Sequence, residues 1–117
     1  MLLVENLGHI ELEDGVLIFT SFLDAHHSPE MAERVVEKRI EMYGTNLPFL
    51  VDIRKIGELD FAARQYYAQD STVPRLAILV GSKFSKTIAD FFLGLNISKT
   101  CKVFTKKRDT IIWLKNS

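Results

Sequence analysis

Residues 49–64 read FLVDIRKIGELDFAAR. Phe49-Leu50-Val51 is an apolar run closed by a carboxylate, Asp52. A strand without polar alternation has both faces covered, as parallel strands inside an α/β layer do. Asp60 follows, placed to cap a second element, because a carboxylate accepts from the unpaired amides of a helix start. The helix would run from Phe61 to about Gln69. Strand, short connection and capped helix make one βα unit, and a chain built on such units is α/β.

Working towards the N-terminus, Ser28-Pro29-Glu30 predicts a helix start. Serine accepts orphan amides, proline is pre-set for the first helical position, and glutamate suits the positive end. Ala32, Val35, Val36, Arg39, Ile40 and Tyr43 then share one face at helical spacing. Arg39 breaks that stripe and is expected to snorkel to solvent. Gly44 is a natural stop. Before this helix, His9–Glu13 alternates apolar and polar, Asp14-Gly15 is a hairpin signal, and Val16–Phe22 reads as the returning strand.

Working towards the C-terminus, Val73-Pro74 breaks the chain before the apolar strand Arg75–Val80. Ser82 would cap a helix over Lys83–Leu95, Cys101–Phe104 would form a last strand, and Thr105 would cap a final helix ending in Ile111-Ile112-Trp113-Leu114. The expected order is β-β-α-β-α-β-α-β-α, a single domain over residues 1–117 with a mixed, mostly parallel sheet. No strand is followed by a glycine fingerprint: Val80-Gly81-Ser82-Lys83 matches neither a dinucleotide loop nor a P-loop.

Composition agrees with one ordinary globular domain. The chain has 117 residues, 47% apolar and 26% charged, with a mean hydropathy near zero. It contains no apolar run long enough for a membrane span, and MLLVENLGHI lacks the basic start and cleavage site of a signal peptide. The single cysteine, Cys101, has no internal partner and reads as a small core residue. A cytoplasmic protein is expected. Net charge is zero but polarised: residues 1–60 hold twelve acids and five bases, while residues 83–117 hold eight bases and two acids. Such a molecule would steer an acidic partner or stack head to tail, unless the signs interleave in three dimensions.

The order of elements resembles the STAS domain, the fold of anti-sigma-factor antagonists, and more narrowly the divergent SpoIIAA-like group of small bacterial STAS proteins. The resemblance spans the chain through HIELEDGVLIFTSF, FLVDIRKIGELDFAARQYYA, LAILVGSKFSKTIADFFL and KVFTKKRDTIIWLK. It implies a regulatory protein-interaction module rather than an enzyme. In regulatory STAS proteins an Asp-Ser-Ser-Gly segment opens the second helix, and phosphorylation of a serine there releases a partner. Here that tetrad is Asp60-Phe61-Ala62-Ala63. The aspartate matches, but Phe61 and Ala62 have no oxygen to phosphorylate. The resemblance thus carries over the fold and a docking surface, without the phospho-switch.

Candidate chemistry gathers near the end of the Phe49–Asp52 strand. Asp52, Arg54, Asp60 and Arg64 would converge where open α/β sheets bind ligands, holding a small anion or, with Phe61 and Ala62, a partner protein. The plainer alternative is a capped helix with an Asp60–Arg64 pair one turn apart. His26-His27 lies beside Asp24, but a metal needs three or four ligands. Only His9 and distant carboxylates remain, so no metal site and no cofactor are expected. Cys101 has no neighbouring histidine to make a nucleophile pair.

Ser82, Ser85 and Thr87 with Lys83 and Lys86 would bind phosphate at a helix start, or Ser82 would simply cap it. The basic run Lys99–Arg108 carries too little charge and too few rings for nucleic acid. The adjacent rings Tyr66-Tyr67 and Phe91-Phe92 suggest a homodimer seam, a lipid-facing groove, or core crowding. The expectation is therefore a non-enzymatic module for an unidentified protein partner. The alternative is a small-molecule or lipid carrier with an apolar pocket like that of CRAL-TRIO domains, which would need an enclosed cavity of several hundred Å³.

Overall fold

The Asp14-Gly15 turn has φ of 53° and 81°, the paired positive angles of a tight two-residue hairpin loop. It joins β2 (Gly8–Glu13) to β3 (Val16–Ser21), which pair antiparallel from Gly8↔Ser21 to Glu13↔Val16. A computed structural model describes residues 2–68, 72–81 and 100–116. The predicted helix Lys83–Leu95, its serines, threonine and lysines, and Phe91-Phe92 lie outside the described residues, as do the side chains of Arg64, Tyr67 and Cys101.

One strand precedes the predicted hairpin. β1 (Leu2–Val4) pairs antiparallel with β2 after a turn through Asn6, whose φ is 65°. Three residues are too few to show an alternation, so sequence pattern does not reveal this strand. β5 (Phe49–Asp52), β7 (Arg75–Leu79) and β8 (Thr100–Phe104) continue the sheet in parallel, giving the order β1-β2-β3-β5-β7-β8. A second, two-stranded parallel sheet pairs β4 (His26–His27) with β6 (Glu58–Leu59). Neither was expected, since a two-residue strand exists only through its partner.

Helices α1 (Pro29–Tyr43), α2 (Phe61–Ala68) and α3 (Lys107–Lys115) complete the described fold. Ser28 caps α1 through Met31 N at 3.3 Å, and Gly44, at φ 76°, stops it by donating to Ile40 O. At α3 the cap differs from expectation: Lys106, not Thr105, holds the cap position, with no side-chain capping bond. Thr110 instead returns its hydroxyl to Lys106 O at 2.8 Å.

Alternation along the strands divides the core in two. Leu17, Phe19, Phe49, Leu76 and Ile78 join Ala32, Val35 and Ala63 of α1 and α2. Val16, Ile18, Leu50, Ala77 and Leu79 face the opposite way and meet Leu114 of α3. The sheet therefore lies between helical layers, and β5, flanked by β3 and β7, is covered on both sides as its apolar run implies.

Arg39 does not snorkel. Its side chain is 0% exposed, its guanidinium lies 5.1 Å from the centre of the Phe49 ring, and Nη2 donates to Thr72 Oγ1. A charge this deep is tolerated only with polar and aromatic partners around it.

Candidate functional site

Asp52 closes β5 and is 5% exposed. Its Oδ1 accepts from Arg54 N at 3.1 Å and Arg54 Nε at 2.9 Å, and its Oδ2 accepts from Arg54 Nη2 at 2.7 Å. This is a bidentate clamp closed over a local turn. The hydrogen bond to Asp52 raises the Arg54 pKa further above its ordinary value, with burial opposing it and the Asp52 charge adding to it. The Arg54 stem lies over Gly81, where a side-chain carbon would sit 3.0 Å from Arg54 Cγ. The guanidinium is thus directed at Asp52 rather than at an open anion cradle.

Asp60 takes a different partner. It stands immediately before α2, and its Oδ1 accepts from His26 Nε2 at 2.7 Å. Glu58 Oε2 lies 3.8 Å from the same nitrogen. That hydrogen bond, together with the charges of Asp60 and Glu58, raises the His26 pKa above its ordinary value. The cause is the β4–β6 pairing, which sets His26 opposite Glu58 and His27 opposite Leu59. Successive strand residues face opposite ways. His26 and Glu58 are exposed, while His27 and Leu59 are buried.

Backbone bonds hold this arrangement. Asp24 N donates to Lys55 O, Gly57 N and Glu58 N donate to Ala25 O, and Asp60 N donates to His27 O, all at 2.9–3.0 Å. His27 points inward, edge-on to Phe19 with ring centres 5.7 Å apart and 3.4 Å from Ser21 Oγ. Burial, with the neighbouring His26 charge adding to it, pushes its pKa down to about 4.

The sequence-level candidates therefore fall into two groups. Asp52 and Arg54 form one clamp. Asp60 belongs with His26 and Glu58, a grouping that sequence spacing missed because His26 lies more than thirty residues from the two carboxylates. Carboxylates distant from the histidines in sequence are near one of them in space: one oxygen or nitrogen atom each from His26, Glu58 and Asp60 lies within 4.8 Å of the others. Phe61, first residue of α2, is 57% exposed, and Ala62 is exposed beside it. Arg64 belongs to α2 by its backbone.

Phe22 and Leu23 are exposed on the loop leading into the Asp24–Lys55 bond. Of two clefts bounded by described residues, the larger is open to solvent and the other is small. One, of about 450 Å³, is lined by Thr45, Asn46, Thr72, Val73 and Pro74. The other, of about 140 Å³, is lined by Leu2, Lys38, Glu41 and Met42. Neither has the enclosed apolar character of a lipid carrier's pocket. No helix among the described residues is long and apolar enough to cross a membrane.

No curated protein matches the chain. An uncharacterized protein of the DUF3478 family from Shewanella loihica PV-4, described as having a SpoIIAA-like fold, superposes with a TM-score of 0.59. The two are 21% identical over 92% of this chain and 91% of that one. A protein of unknown function from Arthrobacter sp. FB24 is 23% identical over 92% of each chain, with a TM-score of 0.36. The first likeness shows the SpoIIAA-like fold that the order of elements implied. The model of a domain of unknown function, DUF7793, matches residues 10–117, and the chain belongs to that family.

Proposed function

We propose that this protein is a non-enzymatic interaction module that docks a protein partner through the start of α2 and the adjoining loop, without a phosphoserine switch. The observation that carries the reading is the exposed Phe61 ring, set beside the Asp60–His26 pair where regulatory STAS proteins carry the phosphorylatable segment. An aromatic ring next to a polar pair suits a protein interface better than free solvent does. Leu23, 72% exposed, is a second bare apolar side chain, on the loop bonded to residues 55–58. A non-enzymatic role also accords with the Ser21–His27 contact, which is sealed at 2% and 1% exposure and packs as a core pair.

Incorporating a photo-crosslinking phenylalanine analogue at position 61 tests this in the native host. A discrete adduct is expected from position 61 and not from position 12, an exposed leucine on the β2–β3 hairpin. Equal labelling from both positions, or none from position 61, would refute the docking surface.

A further inference from the structure

We infer that His26, Glu58 and Asp60 form a binding site for a divalent first-row transition ion of the zinc type. Their three ligand atoms lie within 4.8 Å of one another on one solvent-facing edge. They combine one imidazole nitrogen with two carboxylates, a donor set that suits Zn²⁺, Co²⁺ or Ni²⁺ better than the oxygen-seeking Mg²⁺. Three protein ligands leave positions open for water or a partner's side chain.

The geometry requires little movement. Ligand atoms around a tetrahedral zinc stand about 3.3 Å apart, between the 2.7 Å from His26 Nε2 to Asp60 Oδ1 and the 3.8 Å from His26 Nε2 to Glu58 Oε2. A simple ion pair needs two of these residues. The third is supplied by strand register, His26↔Glu58, which holds all three on backbone bonded to backbone. Binding groups on rigid elements lose less entropy on capturing an ion.

The inference does not depend on the docking reading, because metal binding is measured on the isolated chain. Zinc chloride titrated calorimetrically into protein stripped with chelator and then freed of it should show one saturable site. Cobalt(II) should give visible absorption bands of a site containing nitrogen and oxygen donors. His26→Ala and Glu58→Gln should each weaken zinc binding by at least about tenfold, while His9→Ala leaves it unchanged. All three positions are solvent-accessible, so circular dichroism should confirm that the variants fold. Absence of saturable zinc binding up to millimolar concentration overturns the site. So does binding that survives both ligand substitutions, or magnesium binding as tight as zinc, which marks an unselective acidic patch.

Discussion

His27 carries opposite consequences from its neighbour His26, although the two are adjacent in sequence. Strand alternation turns one ring outward to Asp60 and the other inward against Phe19. His27 has a folded pKa lowered to about 4 from an ordinary 6.5. Between those values the unfolded chain binds a proton that the folded chain refuses. Its neutral form therefore stabilises the fold above the unfolded value, and that stability is lost as pH falls through 6.5 towards 4.

From pH 7.5 to pH 5 the expected loss is about 2 kcal/mol, read from urea midpoints with chelator present. His26 has a raised pKa, so it acts with the opposite sign: its contribution is present below 6.5 and fades as pH rises through the folded value. Because His26 is exposed and screened, His27 sets the slope. A His27→Gln variant should flatten the profile in this window. An unchanged slope in that variant would assign the pH dependence elsewhere.

At the scale of elements, the β4–β6 crossing is what assembles the candidate site, and Gly57 is its point of close backbone approach. A side-chain carbon at Gly57 would lie 2.7 Å from the Asp24 carbonyl carbon and oxygen. Both are backbone atoms in a hydrogen-bonded crossing and have little room to yield. Gly57→Ala is expected to cost about 1–3 kcal/mol, and to part β6 from β4, so that zinc binding weakens although no ligand has changed. Stability close to the parent protein, with zinc affinity intact, would show that the crossing tolerates a wider spacing.

This crossing also marks the limit of what sequence pattern reveals. β2, β3, α1, β5, α2, β7, β8 and α3 are legible because each shows a periodic pattern, an unbroken apolar run or a local start or stop signal. The Asp14-Gly15 turn and the Ser28 cap are local chemistry, readable in a few residues. β4 and β6 have two residues each and no periodicity, and His26, Glu58 and Asp60 become neighbours only through their pairing. The Arg39 error has a similar origin. Its place on the buried stripe of α1 was visible, but the Phe49 ring and Thr72 hydroxyl that receive it come from other elements.

At the scale of the whole molecule, the charge polarity of the sequence folds back on itself. Lys107 and Lys115 of α3 approach Glu13 and Asp14 of the hairpin at 3.6 and 3.8 Å. These exposed pairs contribute little to stability, but they set basic and acidic ends side by side. What fixes α3 is apolar. Leu114 is 1% exposed and fills the layer formed by Val16, Ile18, Leu50, Ala77 and Leu79. Beside it Trp113 is held by Arg75, whose guanidinium stacks 3.8 Å from the ring centre and donates to Trp113 O at 2.8 Å, and by Phe104 at 5.5 Å.

Leu114→Ala should therefore destabilise the protein by about 2–5 kcal/mol through the cavity it leaves under the sheet. Arg75→Ala keeps that layer filled and removes the stacked cation and its bond, at a smaller expected cost of about 1–2 kcal/mol. The tryptophan is unique in the chain and reports both changes. In Arg75→Ala its emission should shift to the red while the unfolding transition stays single. Red-shifted emission that melts before the far-ultraviolet signal, in either variant, would mean that α3 detaches on its own. Coincident melting would place α3 within the same cooperative unit as the sheet.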